Sequence, residues 1–286
     1  MAAVQEDVAE MKKAAQIINR QAHSATRVSL MQMPPKLPNL FGRDAFVAEI
    51  VDELTRSSES SGFPRICVHS PGGMGKKSVA LAVAEDDKVM NTFGENGRFW
   101  VPCISATSPD LLLQLLYTNL RISLDTGNYL RDIIAELRSS SSPRLILLDN
   151  FETAWFPIEG TRDDVENILR QLSLVMHVGI LVTMRANLPP AREINWVDKE
   201  LRAVDKEHSI EIYCTIQPEA RGEPKLDELL DALGHMPFAI KLISTLGNET
   251  ESMPNTLLEA WEKDGPGMIP GRIIERSIEL SLNIRL

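Results

Sequence analysis

Apolar residues recur at two different periods along the chain. Val4, Val8, Met11, Ala15, Ile18 and Ala22 are spaced alternately by four and three, which predicts a helix over residues 1–23 with one apolar stripe. That stripe fits docking on its own domain or a seam with a partner helix. Residues 34–38, P-P-K-L-P, interrupt it as a linker, because consecutive prolines block helix. Helical spacing returns over 45–54, where Phe46, Val47, Ile50, Val51 and Leu54 share a face, and Ser and Gly mark a loop through 57–62. Short apolar runs then predict strands at 66–68, 99–101, 145–148 and 179–183, with a fifth near 201–204. Helical stretches around 111–116, 130–137 and 165–174 separate most of them. Strands alternating with helices predict an α/β domain whose parallel sheet is covered on both faces. After residue 206 the spacing turns helical, at 226–233, 238–246 and 257–261, which predicts a C-terminal helical subdomain.

The turn after the first strand carries the candidate chemistry. Residues 70–78 read S-P-G-G-M-G-K-K-S. A strand, a glycine-rich turn and a helix opening at Gly-Lys make a phosphate cradle. Glycine lets the main chain wrap so that successive N–H groups point inward, and the helix N-terminus favours an anion. Gly72, Gly73, Gly75 and Lys76 supply that core, with the lysine reaching for terminal phosphates. The spacing G-x-x-x-x-G-K-[S/T] is unmet at both ends. Ser70 replaces the first glycine and is expected to turn at some strain. Lys77 stands where a hydroxyl would bind Mg²⁺, and Ser78, one helical step on, points about 100° away.

Further along, L-I-L-L at 145–148 followed by Asp149 is an apolar strand ending in a carboxylate, suited to ordering a magnesium-bound water or to capping a turn. Glu152 either activates a water or stands solvated. Thr183 and Arg185 close the next strand with a hydroxyl and a guanidinium, at the strand edge where ligands gather in open parallel sheets. G-H-M-P-F-A at 234–239 is a helix start whose apolar residues either wall a base or are plain structure.

Composition narrows the reading. A net charge of −10 argues against a broad nucleic-acid surface, which needs clustered Lys and Arg, yet leaves room for a local basic pocket. Cys67, Cys103 and Cys214 lack metal-type spacing and read as buried thiols of a reducing compartment. The five histidines share no ligand spacing. The acidic N-terminus has no apolar signal core, and no run reaches the roughly 18 apolar residues of a membrane helix, so the cytoplasm is the expected location.

The order of motifs resembles a known family. F-G-R-D (41–44), S-P-G-G-M-G-K-K-S (70–78), L-I-L-L-D-N-F-E-T (145–153), V-T-M-R (182–185), G-H-M-P-F-A (234–239) and L-L-E-A-W-E (257–262) are similar to the NB-ARC-type nucleotide-binding module of STAND signalling NTPases, in wording closest to their fungal NLR-like branch. The resemblance covers roughly residues 37–286. It implies a P-loop NTPase sheet of order 5-1-4-3-2 with a helical subdomain, and a switch that holds ADP when closed and ATP when open and oligomeric. It further implies that Gly73, Met74, Gly75, Lys76, Lys77 and Ser78 wrap the phosphates, that Asp149 is the magnesium ligand and that Arg185 senses the terminal phosphate. Pro237 would sit over the adenine, with Phe41, Gly42 and Arg43 on its other side. The implied division is 1–36 helix and linker, 37–205 nucleotide-binding domain, 206–270 helical subdomain and 271–286 the start of a winged-helix region that stops at Leu286, short of the histidine the family offers to ADP.

Lys77 departs from the family's Thr or Ser and counts against magnesium and turnover, while its extra ammonium keeps ADP binding compatible. Three functions are open. One is an ADP/ATP-binding regulatory switch that changes its protein partners or self-association, with weak or absent hydrolysis. Another is an interaction protein with a decayed loop. The third is a P-loop ATPase or kinase with Asp149, Glu152 and Arg185 as its catalytic set.

Overall fold

The structure is a computed structural model describing residues 33–35, 39–57 and 62–268. The helix expected over 1–23, linker positions 36–38 and the segment 271–286 lie outside the described residues. Five strands, β1 Arg65–His69, β2 Arg98–Pro102, β3 Arg144–Asp149, β4 Val178–Met184 and β5 Trp196–Glu200, pair in the order β2-β3-β4-β1-β5, each pair parallel. Read from the other edge this is the expected 5-1-4-3-2. In chain order the helices are α1 Asp44–Leu54, α2 Lys76–Ala84, α3 Asp87–Phe93, α4 Pro109–Asn119, α5 Tyr129–Arg138, α6 Glu152–Trp155 and α7 Arg162–Ser173. The last four are α8 Lys206–Ile216, α9 Leu226–Ala232, α10 Pro237–Thr250 and α11 Pro254–Asp264.

Strand residues alternate between the two faces, and the sheet divides the core accordingly. Ile66, Val68, Trp100, Leu145, Leu147 and Leu181 pack with α1, α2 and α3 and also with Tyr213, Leu229, Ile240 and Leu257 from the last four helices. Cys67, Phe99, Val101, Ile146, Leu148, Ile180 and Val182 face the other way, onto Leu112, Leu116, Ile133, Leu137, Val165 and Leu169 of α4, α5 and α7. Helices α8 to α11 therefore share the core of the sheet instead of building one of their own. Burying each large apolar side chain here contributes roughly 1.5–3 kcal/mol. All three cysteines are buried and free.

The fifth strand is displaced from the expected 201–204. It runs Trp196–Glu200 and pairs on one side only, with β1, so its outer residues Asp198 and Glu200 stay exposed. Leu201 and Val204 belong to the connection beyond it, where their N–H groups donate to His69 O (2.9 Å) and His235 O (3.3 Å). Polar residues on an edge strand mask it, while the apolar pair after it imitates one.

Helix ends follow local chemistry. Ser108, Asn128 and Asp205 cap α4, α5 and α8 through their side chains, Thr161 and Asp164 form a reciprocal capping box on α7, and Pro opens α4, α10 and α11.

Candidate functional site

The chain leaves β1 at His69 and reaches α2 through the glycine turn. Gly73 (φ +79°) and Gly75 (φ +96°) take the left-handed conformation that residues with a Cβ avoid. The strain expected at Ser70 is not found. Ser70 is not among the positive-φ residues, and its hydroxyl donates to Pro71 O at 3.1 Å. Lys76 Nζ in turn donates to Ser70 O (2.8 Å), Ser70 Oγ (3.1 Å) and Pro71 O (2.8 Å), so its three N–H bonds close the loop on itself. The ammonium is only 9% exposed, and burial pushes its pKa down to about 8; Glu152 and Asp149 oppose that shift and Arg185 adds to it.

A cleft of about 220 Å³ opens beside this turn. Phe41 and Arg43 line it from the segment before α1, Gly73, Met74, Gly75 and Ser78 from the loop and α2, and Pro237 from the start of α10. These are the residues expected around the base and phosphates, brought together from three distant motifs. Phe238, one of the apolar residues of 234–239 that were to wall a base or be plain structure, lines it too, while Asn39, Leu40, Ile212 and Lys241 complete the lining and were missed from sequence. Only Lys241 left a signal: it lies one helical turn after Pro237, on the same face of α10.

Hydrogen bonds to loop carbonyls fix the three segments to one another. Arg43 Nη2 donates to Met74 O at 3.2 Å, and Phe238 N donates to Gly73 O at 3.2 Å. Burial lowers the Arg43 pKa, against an opposing pull from Asp205. Gly42 (φ +63°) lies against His208, whose Cγ would be 2.8 Å from an added Cβ. Gly42, Gly72, Lys76 and Lys77 do not line the cleft: Gly42 seats the turn on α8, Gly72 is buried, Lys76 closes the loop, and Lys77 Nζ lies 5.8 Å from the centre of the Trp100 ring.

At the carboxyl edge of β3 and β4, Asp149 is 4% exposed and its Oδ1 accepts the Thr183 hydroxyl at 2.6 Å. Burial raises its pKa, while the Thr183 bond and the Lys77 charge lower it. Asn150, in a left-handed turn (φ +55°), donates its N–H to Thr183 Oγ1 at 3.2 Å and its amide to Glu152 Oε1 at 3.4 Å. Glu152 also accepts from Arg185 N at 3.1 Å and lies 3.5 Å from Arg185 Nε. Glu152 is thus half-buried and held by Arg185 and Asn150, and Thr183 faces the Asp149 carboxylate.

The donor set fits an adenine nucleotide better than it fits magnesium. Apolar walls from Leu40, Phe41, Ile212, Pro237 and Phe238 suit a flat base, and a buried ammonium stands in the adjoining loop. Magnesium asks for oxygen ligands in octahedral geometry. Here a lysine takes the hydroxyl residue's place in the sequence, one oxygen of Asp149 accepts the Thr183 hydroxyl, and an amide follows Asp149. Among the described residues, no three of His, Cys, Asp and Glu gather into a metal-binding group.

One arrangement imitates a catalytic triad. Ser209 Oγ lies 3.0 Å from His235 Nδ1, and His235 Nε2 lies 2.9 Å from Asp231 Oδ1. Ser209 has no exposed surface, and its hydroxyl proton goes to Asp205 O at 2.8 Å. The trio is a strut that positions the turn before Pro237.

No protein-family model matches the chain, and no curated protein does. Solved structures do. A Walker-type ATPase of Pyrococcus abyssi superposes with a TM-score of 0.56 at 14% identity, over 90% of this chain and 80% of that one. The ORC2 protein of Aeropyrum pernix, described in ADPNP–ADP complexes, gives 0.54 at 14% identity, over 82% and 71%. The ORC1 protein of Aeropyrum pernix in complex with DNA gives 0.52 at 14% identity, over 86% and 66%. The fold is therefore that of P-loop NTPases of the ORC kind. Among the described residues no helix is long and apolar enough to cross a membrane.

Proposed function

We propose that this chain is an adenine-nucleotide-binding regulatory module of the STAND type, NB-ARC-like and in the NLR-like branch that its motifs resemble. It holds ADP or ATP in the cleft and acts by changing its contacts with partner proteins or with itself. The observation that carries this reading is the cleft itself. F-G-R-D, the glycine loop and the start of α10 lie far apart in sequence, yet all three line one cavity and are tied by the Arg43–Met74 and Phe238–Gly73 hydrogen bonds. Weak or absent hydrolysis belongs to the reading, because Lys77 stands where a hydroxyl would hold magnesium. So do a cytoplasmic location and the division into a nucleotide-binding domain (37–205) and a helical subdomain (206–270).

Native mass spectrometry of the purified chain, followed by calorimetric titration with ADP and ATP, tests it. One bound adenine nucleotide per chain, with turnover far below about 1 per second, is expected. A chain that carries none and shows no thermal shift with saturating ADP would remove it, since a ligand of the folded state must raise stability.

The second reading, an interaction protein with a decayed loop, is favoured by the three donors of Lys76 being spent inside the loop. The same thermal-shift measurement separates the two. Nucleic acid is not part of the proposal, because the chain is acidic. One fold neighbour is described in complex with DNA, so retention of labelled duplex DNA at physiological salt would contradict this point.

A further inference from the structure

We infer that the site takes its nucleotide as the metal-free anion, with the Lys77 ammonium supplying the positive charge that a divalent cation supplies where a hydroxyl stands at this position. The inference rests on the nucleotide reading above and deepens it.

Four features of the site converge on it. Lys77 is the second residue of α2, and its ammonium lies 5.8 Å from the centre of the ring of Trp100, on the strand that pairs with β3, at whose end Asp149 stands. Asp149 has one oxygen on the Thr183 hydroxyl at 2.6 Å, and that hydroxyl accepts Asn150 N at 3.2 Å, so part of the acceptor capacity at this strand end is already spent within the protein. The residue after Asp149 is an amide, and the next carboxylate, Glu152, is turned to Arg185. Ser78, the nearest hydroxyl along α2, lines the cleft, whereas Lys77 and Asp149 are not among its lining residues.

Charge gives the direction of the effect. Lys76 and Lys77 are adjacent in sequence, and Arg185 lies beside Glu152. An uncomplexed diphosphate carries more negative charge than its magnesium complex, and the two ammonium groups favour the former. A divalent ion brought to the phosphates would find a lysine at the position where the sequence pattern supplies a hydroxyl ligand.

Calorimetric titration with ADP, in EDTA and in excess Mg²⁺, tests the inference on the wild-type chain, Lys77→Thr and Lys77→Met. The wild type is expected to bind in EDTA and to lose roughly threefold or more of its affinity in Mg²⁺. Lys77→Met removes the charge but keeps an unbranched side chain, and should lose roughly tenfold or more in EDTA. Lys77→Thr restores the hydroxyl, and Mg²⁺ should strengthen its binding. Trp100 emission offers a second readout: ADP should change it in the wild type as the ammonium moves to the phosphates, but not in Lys77→Met. Wild-type binding that Mg²⁺ strengthens overturns the inference and leaves the nucleotide reading standing. An unaltered metal response in Lys77→Thr overturns it equally. Binding in neither buffer removes both proposals.

Discussion

Arg185 is folded back on Glu152: its main-chain N–H donates to Oε2 at 3.1 Å, and its guanidinium Nε lies 3.5 Å from Oε1. The group expected at a terminal phosphate and the group expected at a water therefore satisfy one another. A partly exposed pair of this kind is worth about 0.2–1 kcal/mol, little enough for a phosphate to break. Arg185→Ala is expected to abolish any preference for ATP over ADP while keeping ADP affinity within about twofold. Glu152→Gln releases the guanidinium and should raise ATP affinity relative to ADP by about two- to fivefold. Competitive titration of the two nucleotides measures both. An ATP-to-ADP ratio unchanged across all three proteins would mean that Arg185 reads no terminal phosphate.

Gly73 and Gly75 make a matched pair of substitutions. Both have left-handed φ, so alanine is strained at either. At Gly73 the new Cβ would also lie 2.8 Å from Met236 Sδ and 3.0 Å from Phe238 Cβ, whereas at Gly75 nothing lies within 4 Å. The methionine can swing aside; Phe238 Cβ is fixed to the first turn of α10. Gly73→Ala is expected to cost about 2–4 kcal/mol and Gly75→Ala about 1–2 kcal/mol in urea denaturation. Equal losses would show that the loop does not lean on α10.

Much of this architecture is legible in the order of the residues alone. Strands β1, β3 and β4 are buried on both faces, so each is an uninterrupted apolar run, and the glycine loop and the strand-end Asp149 stand out beside them. Strand β5 is hidden because an edge strand keeps Asp198 and Glu200 in water. Partnerships across long sequence distances are hidden too. Nothing local announces that Thr183 serves Asp149, or that Arg185 is held by Glu152. The strain expected at Ser70 fails for a similar reason: its comfort depends on Lys76, six residues later, donating to its carbonyl and hydroxyl.

Thr183→Val tests the support of Asp149. The isostere leaves the carboxylate without the 2.6 Å donor and Asn150 N without its acceptor, a loss of about 1–3 kcal/mol at neutral pH. Burial already raises the Asp149 pKa above its ordinary 3.8, so the folded state holds this proton to higher pH than the unfolded one. Such a group favours folding below the unfolded value and loses that contribution as pH rises through the folded value. Removing the Thr183 donor raises the pKa further. The deficit of Thr183→Val should therefore shrink on going from about pH 7 to about pH 4, as read from denaturation at the two values. A deficit independent of pH would mean that lost packing, and not the carboxylate, sets the cost.

Lys76 gives the site a pH dependence of opposite origin. Burial lowers its pKa from 10.5 to about 8, so between those values the unfolded chain keeps a proton that the folded chain has released. Its contribution to stability is complete above 10.5 and is lost as pH falls through about 8, where charging the buried amine opposes folding. Phosphate oxygens beside the amine reverse the preference and draw the proton back. ADP binding above about pH 8 is therefore expected to take up a fraction of a proton and to weaken as pH rises. Calorimetry in two buffers of different ionisation enthalpy counts that proton directly. Lys76→Met should lose most of the affinity, along with the buffer dependence of whatever binding is left, and its melting temperature shows whether the unsatisfied carbonyls of Ser70 and Pro71 have loosened the loop. If the wild-type binding enthalpy is the same in both buffers, Lys76 does not change protonation when the nucleotide arrives, and its ammonium is charged in the folded chain throughout this range.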